Sequence, residues 1–108
     1  MSDQGLRRQD TYSAFMAART RGTILMVLSA IPSEIASASG LRAMIGDEAV
    51  HVGVVEIEAA MRWLGKAGYV LLSERAGELV VEITDRGIDV VERREIDDGV
   101  TLPRRRAR

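Results

Sequence analysis

From Val54 to Lys66 the chain reads VVEIEAAMRWLGK, and Ile57, Met61 and Leu64 recur at i, i+4 and i+7. Turning those three inward points Val54, Val55, Glu58, Ala59 and Arg62 outward. A face of this kind makes contacts rather than bonds: the Arg62 guanidinium would pair with phosphate or a guanine edge, and the valine methyls would touch thymine methyls. Two valines and a glutamate are also a poor electrostatic match to phosphate, so the same face reads equally well as solvated or protein-contacting. Arg42 and Lys66 are weaker phosphate candidates beside it. Arg104, Arg105, Arg106 and Arg108 fill four of the last five positions, behind Pro103 and with no acid among them. An extended segment of this composition is a phosphate-seeking arm or, alternatively, a solubilising terminus.

Other chemistries have little to build on. The 108 residues include no cysteine, which leaves no disulfide, thiolate nucleophile or thiolate metal site. His51 is the single histidine, and with Asp47 and Glu48 as its acidic neighbours it makes no recognisable zinc set. Met16, Met26, Met44 and Met61 fall on apolar faces, as core methionines do. The serines from Ser29 to Ser39 sit in no Gly-x-Ser-x-Gly elbow, and there is no phosphate-binding glycine loop. The expectation is a protein that is not an enzyme, with no cofactor and no small-molecule substrate. Net charge is −1 but uneven: residues 1–21 carry four arginines against two aspartates, the middle is acidic, and the last ten residues carry +4. The most apolar run, Ile24 to Ile31, is far below the roughly 20 residues of a membrane helix, and MSDQGLRRQD lacks the apolar region of a secretory signal. The expected location is the cytoplasm.

The elements that would position these residues follow from pattern. Residues 1–5 read as loose. Tyr12, Phe15, Met16 and Arg19 fall at helical spacing, Gly22 is a candidate bend, and Thr23 to Ile31 is apolar nearly all round until Pro32 stops it. The apolar face of Tyr12, Phe15, Met16, Ile24 and Leu28 is too extensive for a small domain to cover alone, which predicts a homodimer or higher homo-oligomer. A second helix is expected from near Ser33, as N-cap, past Gly40 to Ile45; the alternative is an extra turn of helix inserted between it and the third. A third spans about Gly53 to Lys66 and stops at Gly68. Tyr69 to Ser73 and Glu78 to Ile83 read as two strands joined through Glu74-Arg75-Ala76-Gly77. Thr84 caps a last helix, TDRGIDVVERRE, with Ile88, Val90 and Val91 inward.

Helix, helix, helix, hairpin, helix is the order of a winged helix, and the stretch MRWLGKAGYVLLSERAGELVVEITDRG resembles the end of winged helix-turn-helix regulators of the bacterial and phage type. SEIASASGL resembles the Ser-Glu-Ile-Ala entry into the second helix of such domains. The likeness covers about Ile24 to Val91. The chain is similar, more narrowly, to a small family of winged-helix proteins of Mu-like phages, with Ile24, Leu25 and Leu28 in the first helix and Thr84 to Val90 at the final step. The resemblance implies a mainly α fold with a small β-hairpin and an extended N-terminal helix. It makes the third helix the recognition helix and makes Arg75 a wing-tip residue laid against the duplex backbone or in its minor groove; beside Glu74 and Glu78, Arg75 reads equally as an ordinary surface arginine. The implied function is double-stranded DNA binding, as a transcriptional regulator or a phage DNA-handling factor, in the host cytoplasm if phage-encoded. The alternative is a protein–protein interaction module of the same fold. The division expected is a helical arm over 1–22, a domain over 23–92 and a C-terminal segment with a basic tail over 93–108.

Overall fold

The computed structural model describes residues 3–46 and 52–104. Helix α1 (Asp3–Ala30) is uninterrupted for 28 residues, about 42 Å at 1.5 Å per residue. It includes residues read as loose, and it passes through Gly22, the candidate bend, without a break. A glycine inside a helix costs only about 1 kcal/mol, and packing described below supplies a reason for this one. Along the second half of α1 the apolar side is fully consumed: Ile24, Leu25 and Leu28 are 0% exposed. Ile24 and Leu28, expected at a dimer interface, are therefore core residues of the single chain. The domain does cover this part of the face, with α2, α3 and the sheet.

The segment after Pro32 departs from expectation. Instead of starting a helix at Ser33, Ile35–Ser37 form a strand, β1. Glu34 takes a positive φ of 58° and reverses the chain, and its carbonyl accepts from the Ile83 amide at 3.0 Å. β1 then pairs antiparallel with a later strand, Ile35 opposite Glu82 and Ser37 opposite Val80. A free strand edge leaves amides and carbonyls unpaired, and three extended residues satisfy it better than an extra helical turn would. The N-cap consequently shifts to Ser37, whose hydroxyl accepts from the Gly40 amide, and α2 covers Ala38–Ile45. It passes Gly40 and ends at Ile45, as the spacing of Leu41, Met44 and Ile45 indicates.

Helix α3 (Val54–Ala67) buries Ile57, Ala60, Met61 and Leu64. It ends at Gly68, whose φ of 87° only glycine adopts without strain. Strands β2 (Val70–Arg75) and β3 (Glu78–Ile83) follow. Ala76 and Gly77, at φ 52° and 77°, form the two-residue turn between them, the double positive φ that suits the twist of a hairpin. The result is a three-stranded antiparallel sheet in the order β1-β3-β2 rather than a bare hairpin. Thr84 caps α4 (Asp85–Val91), accepting from the Gly87 amide while its own hydroxyl donates to the Gly68 carbonyl. The core lies between the second half of α1, α2, α3 and the sheet face bearing Val70, Val81 and Ile83. The four helices and the sheet make a mixed α and β domain, and no helix among the described residues is long and apolar enough to cross a membrane.

Helix α4 is shorter than TDRGIDVVERRE implies, because Arg93 turns the chain at φ 63°. Residues 93–104 do not then leave the domain as a separate segment. They form a strap that crosses α3 and α1. The Thr101 amide donates to the Ala18 carbonyl and Arg21 Nη1 donates to the Gly99 carbonyl, both at 3.0 Å. A Cβ on Gly22 would lie 1.9 Å from the Thr101 carbonyl oxygen, and one on Gly99 would lie 2.5 Å from the Trp63 ring. Gly22 is thus small because the strap backbone rests on it. Val100 and Leu102 are half-buried against the core, which explains why this stretch folds back.

Candidate functional site

The facing of α3 sets the site. With Ile57, Met61 and Leu64 buried completely, a 100° step per residue turns Val55, Ala59, Arg62 and Lys66 away from the core, with Glu58 and Val54 on the flank. Val55 is 76% exposed, Val54, Arg62 and Lys66 are exposed, and Glu58 is half-buried. Neither Arg62 nor Lys66 makes a salt bridge among the described residues. Strand β2 lies against this helix: a Cβ on Gly65 would sit 3.2 Å from Leu72 Cβ. The outer side of α3 and the hairpin are therefore neighbouring surfaces.

Arg75 ends β2 and is paired in register with Glu78. Its acidic neighbour is occupied elsewhere. Glu78 Oε1 accepts from the Ser39 amide at 2.6 Å, and hydrogen bonds from Ser39 hold the Glu78 carboxyl below its usual pKa. The carboxylate thus serves the first turn of α2, where unpaired amides favour negative charge, and Arg75 stays exposed with no salt bridge among the described residues. Arg42 is exposed on α2, and Arg104 is exposed at the end of the strap. Arg105, Arg106, Arg108 and His51 lie outside the described residues. The structure thus brings together Val54, Val55, Glu58, Arg62 and Lys66 on one element and sets the hairpin beside them. The arrangement can offer exposed guanidinium and ammonium groups and apolar side chains to a partner's surface.

Two features escaped the residue pattern. The first is a polar cluster under the strap. Tyr69 Oη donates to Asp97 Oδ2 at 2.6 Å and lies 3.0 Å from Glu95 Oε2. Arg86 Nη2 meets Glu95 Oε2 at 2.7 Å, its guanidinium stacks over the Tyr69 ring, and Nη1 donates to the Ala67 carbonyl. Burial, followed by the hydrogen bonds to Asp97 and Glu95, pushes the Tyr69 hydroxyl far above its ordinary pKa. Hydrogen bonds from Arg86 and Tyr69 lower Glu95, and those from Tyr69 and the Gly99 amide lower Asp97. Two of the acids after α4, Glu95 and Asp97, thus fasten the strap.

The second is a groove of about 400 Å³ between the middle of α1 and α3, walled by Met16, Ala17, Thr20, Ala59 and Trp63. Trp63 carries Arg21 stacked 4.2 Å above its ring. At its edge Tyr12 is 60% exposed, and one helical turn on Phe15 is 51% exposed. Met16 is half-buried. The signal in the sequence is Trp63 itself, a large aromatic one position beyond Arg62 that belongs to neither the inward nor the outward set. Compared with known proteins, the chain matches no family model, and no curated protein matches it significantly.

Proposed function

We propose that the chain is a winged helix-turn-helix protein that binds double-stranded DNA, as a transcriptional regulator or a phage DNA-handling factor, with α3 entering the major groove and the β2–β3 hairpin as its wing. The observation that carries this reading is the pair of exposed cations, Arg62 and Lys66, on the outer side of a helix against which a hairpin ending in exposed Arg75 is packed. The element order α1-β1-α2-α3-β2-β3, with β1 completing the sheet, supports it. So does the diversion of Glu78 to α2, which removes a competitor for Arg75. In this arrangement Arg62, Lys66, Arg75 and Arg42 position the protein on phosphates, and Val54 and Val55 approach base methyls. Arg104, Arg105 and Arg106 add sequence-independent affinity.

Fluorescence anisotropy on generic duplex DNA across a salt series tests the proposal. Arg62→Ala, Lys66→Ala and Arg75→Ala each remove one cation from the phosphates, so each should flatten the log-log salt slope by about 0.9. Absence of binding at low salt would leave the second reading, a protein-interaction module. That reading draws on Val55 and on Leu71, 63% exposed on the hairpin, which are apolar surface a phosphate backbone does not need.

A further inference from the structure

The described residues of the chain leave residues 10–15 of α1 uncovered. They are exposed on every side of the helix, whereas Ile24, Leu25 and Leu28 further along it are fully buried. A free helical segment of this length is marginal in water, and this one carries Tyr12 on the rim of a groove that none of the described residues fills, with exposed Phe15 three residues further on. We infer that the occupant is a second copy of this chain, joined by a two-fold axis near Met16, with the two α1 helices antiparallel and the Tyr12 and Phe15 side chains of each copy packed into the Met16–Ala59–Trp63 groove of the other.

Three observations select a second copy over another partner. A two-fold interface uses one patch twice, so the patch must hold both the projecting groups and the recess that receives them. Here both occur within one stretch of α1 and its neighbour α3. The recess is also placed for it. Its α1 wall runs from Tyr12 to Arg21 and straddles the midpoint of Asp3–Ala30, so an antiparallel crossing there overlays the whole length of one helix on the other. Finally, charge agrees with that register. Crossing at Met16 sets Arg19 of the second copy opposite Ser13, which lines the same groove as the acidic Glu56. Arg19 is exposed and makes no salt bridge within its own chain among the described residues. Buried aromatic anchors supply most of the energy of such interfaces. Pairing through α1 is independent of DNA binding, and either can fail without the other.

Sedimentation equilibrium of the full chain at about 10 µM, a concentration at which an interface of micromolar or tighter Kd is occupied, should give twice the 11.8 kDa chain mass. Tyr12→Glu/Phe15→Glu alters only exposed positions, so circular dichroism should show an unchanged domain. Its dimer should dissociate at a concentration roughly thirtyfold higher or more, the scale of a lost hot spot. The register has its own readout, because the chain contains no natural cysteine. Met16→Cys should form a disulfide with itself under mild oxidation. Ser13→Cys and Arg19→Cys should link as a mixture and not singly. A monomeric mass, a double variant that stays dimeric, or self-linking at Ser13→Cys as efficient as at Met16→Cys would each overturn the inference, the last by indicating parallel helices.

Discussion

Replacing Gly22 with alanine should change sign according to whether the strap is present. In an exposed helix the substitution is favourable by about 1 kcal/mol, since alanine loses less conformational entropy. At Gly22 the added Cβ would lie 1.9 Å from the Thr101 carbonyl oxygen and 2.5 Å from its carbonyl carbon. The strap must retreat by about 1.5 Å to restore ordinary contact. The Thr101–Ala18 and Arg21–Gly99 hydrogen bonds would go with it, each worth about 1 kcal/mol. The half-buried Val100 and Leu102 would lose about 1 kcal/mol each, half the value of full burial. Against the gain in helix propensity, the net loss is about 3 kcal/mol if the strap lifts. Denaturant titration of the full chain should show that loss as a lower midpoint at nearly constant slope. In a chain ending at Asp98 the Thr101 and Leu102 backbone is removed from Gly22, and the same substitution should stabilise by about 1 kcal/mol. If Gly22→Ala stabilises the full chain as well, the strap does not lie on α1.

Three further outcomes are expected. Met61→Asp puts an unpaired charge at a 0% exposed position and should abolish the cooperative melt, a loss of several kcal/mol, whereas Glu58→Ala should shift it by about 0.5 kcal/mol or less; equal melts would mean that α3 faces otherwise. Glu95 and Asp97 have folded pKa values below their ordinary 4.5 and 3.8, so the stability they contribute is complete above about pH 4.5 and is lost as pH falls through the depressed values; Tyr69, shifted upward, contributes fully below pH 10 and less as pH rises beyond it. Tyr69→Phe should cost about 1–2 kcal/mol at neutral pH and flatten the stability–pH curve on the acid side, and an unchanged curve would refute the cluster's role. Deleting residues 104–108 should weaken binding to all duplexes alike and lower the log-log salt slope by about 3–4 units, with the melting temperature nearly unchanged; an identical slope would make the arginines a solubilising terminus.

What the sequence disclosed divides along a physical line. Elements fixed by local interactions were legible. Ile57, Met61 and Leu64 repeat at helical spacing and are all fully buried, Gly68 stops α3 in the one conformation glycine is needed for, and Thr84 caps α4. The outward face of α3 follows from the same periodicity, so most of the candidate site could be named from spacing alone. What was not legible depends on contacts between distant residues. Ser33 and Ser37 are equally good caps, and only the free edge of β3, far later in the chain, decides for Ser37 by drawing Ile35–Ser37 into the sheet. Ile24 and Leu28 carry the same helical signature as Tyr12 and Phe15. Whether a residue of that face meets its own domain or another molecule is a matter of where α2, α3 and the strap end, and no local pattern encodes it.

The strap is the clearest instance, because it reverses the meaning of two glycines. In sequence, Gly22 is a candidate bend in a helix and Gly99 simply a residue of the C-terminal segment. Together they are the two points at which a backbone and an aromatic ring come within a methyl group's reach of another element. Once Gly22 and Gly99 are understood as contacts, the acids after α4 gain a function as well: Glu95 and Asp97 hold the chain at Tyr69 so that Gly99 meets Trp63 and Thr101 meets Gly22. The strap thereby fixes one side of Trp63, through Arg21 and Gly99, and leaves its other surroundings to form the groove beside Met16. The same packing that completes the domain therefore shapes the recess that the exposed residues 10–15 of α1 are suited to fill in a second copy.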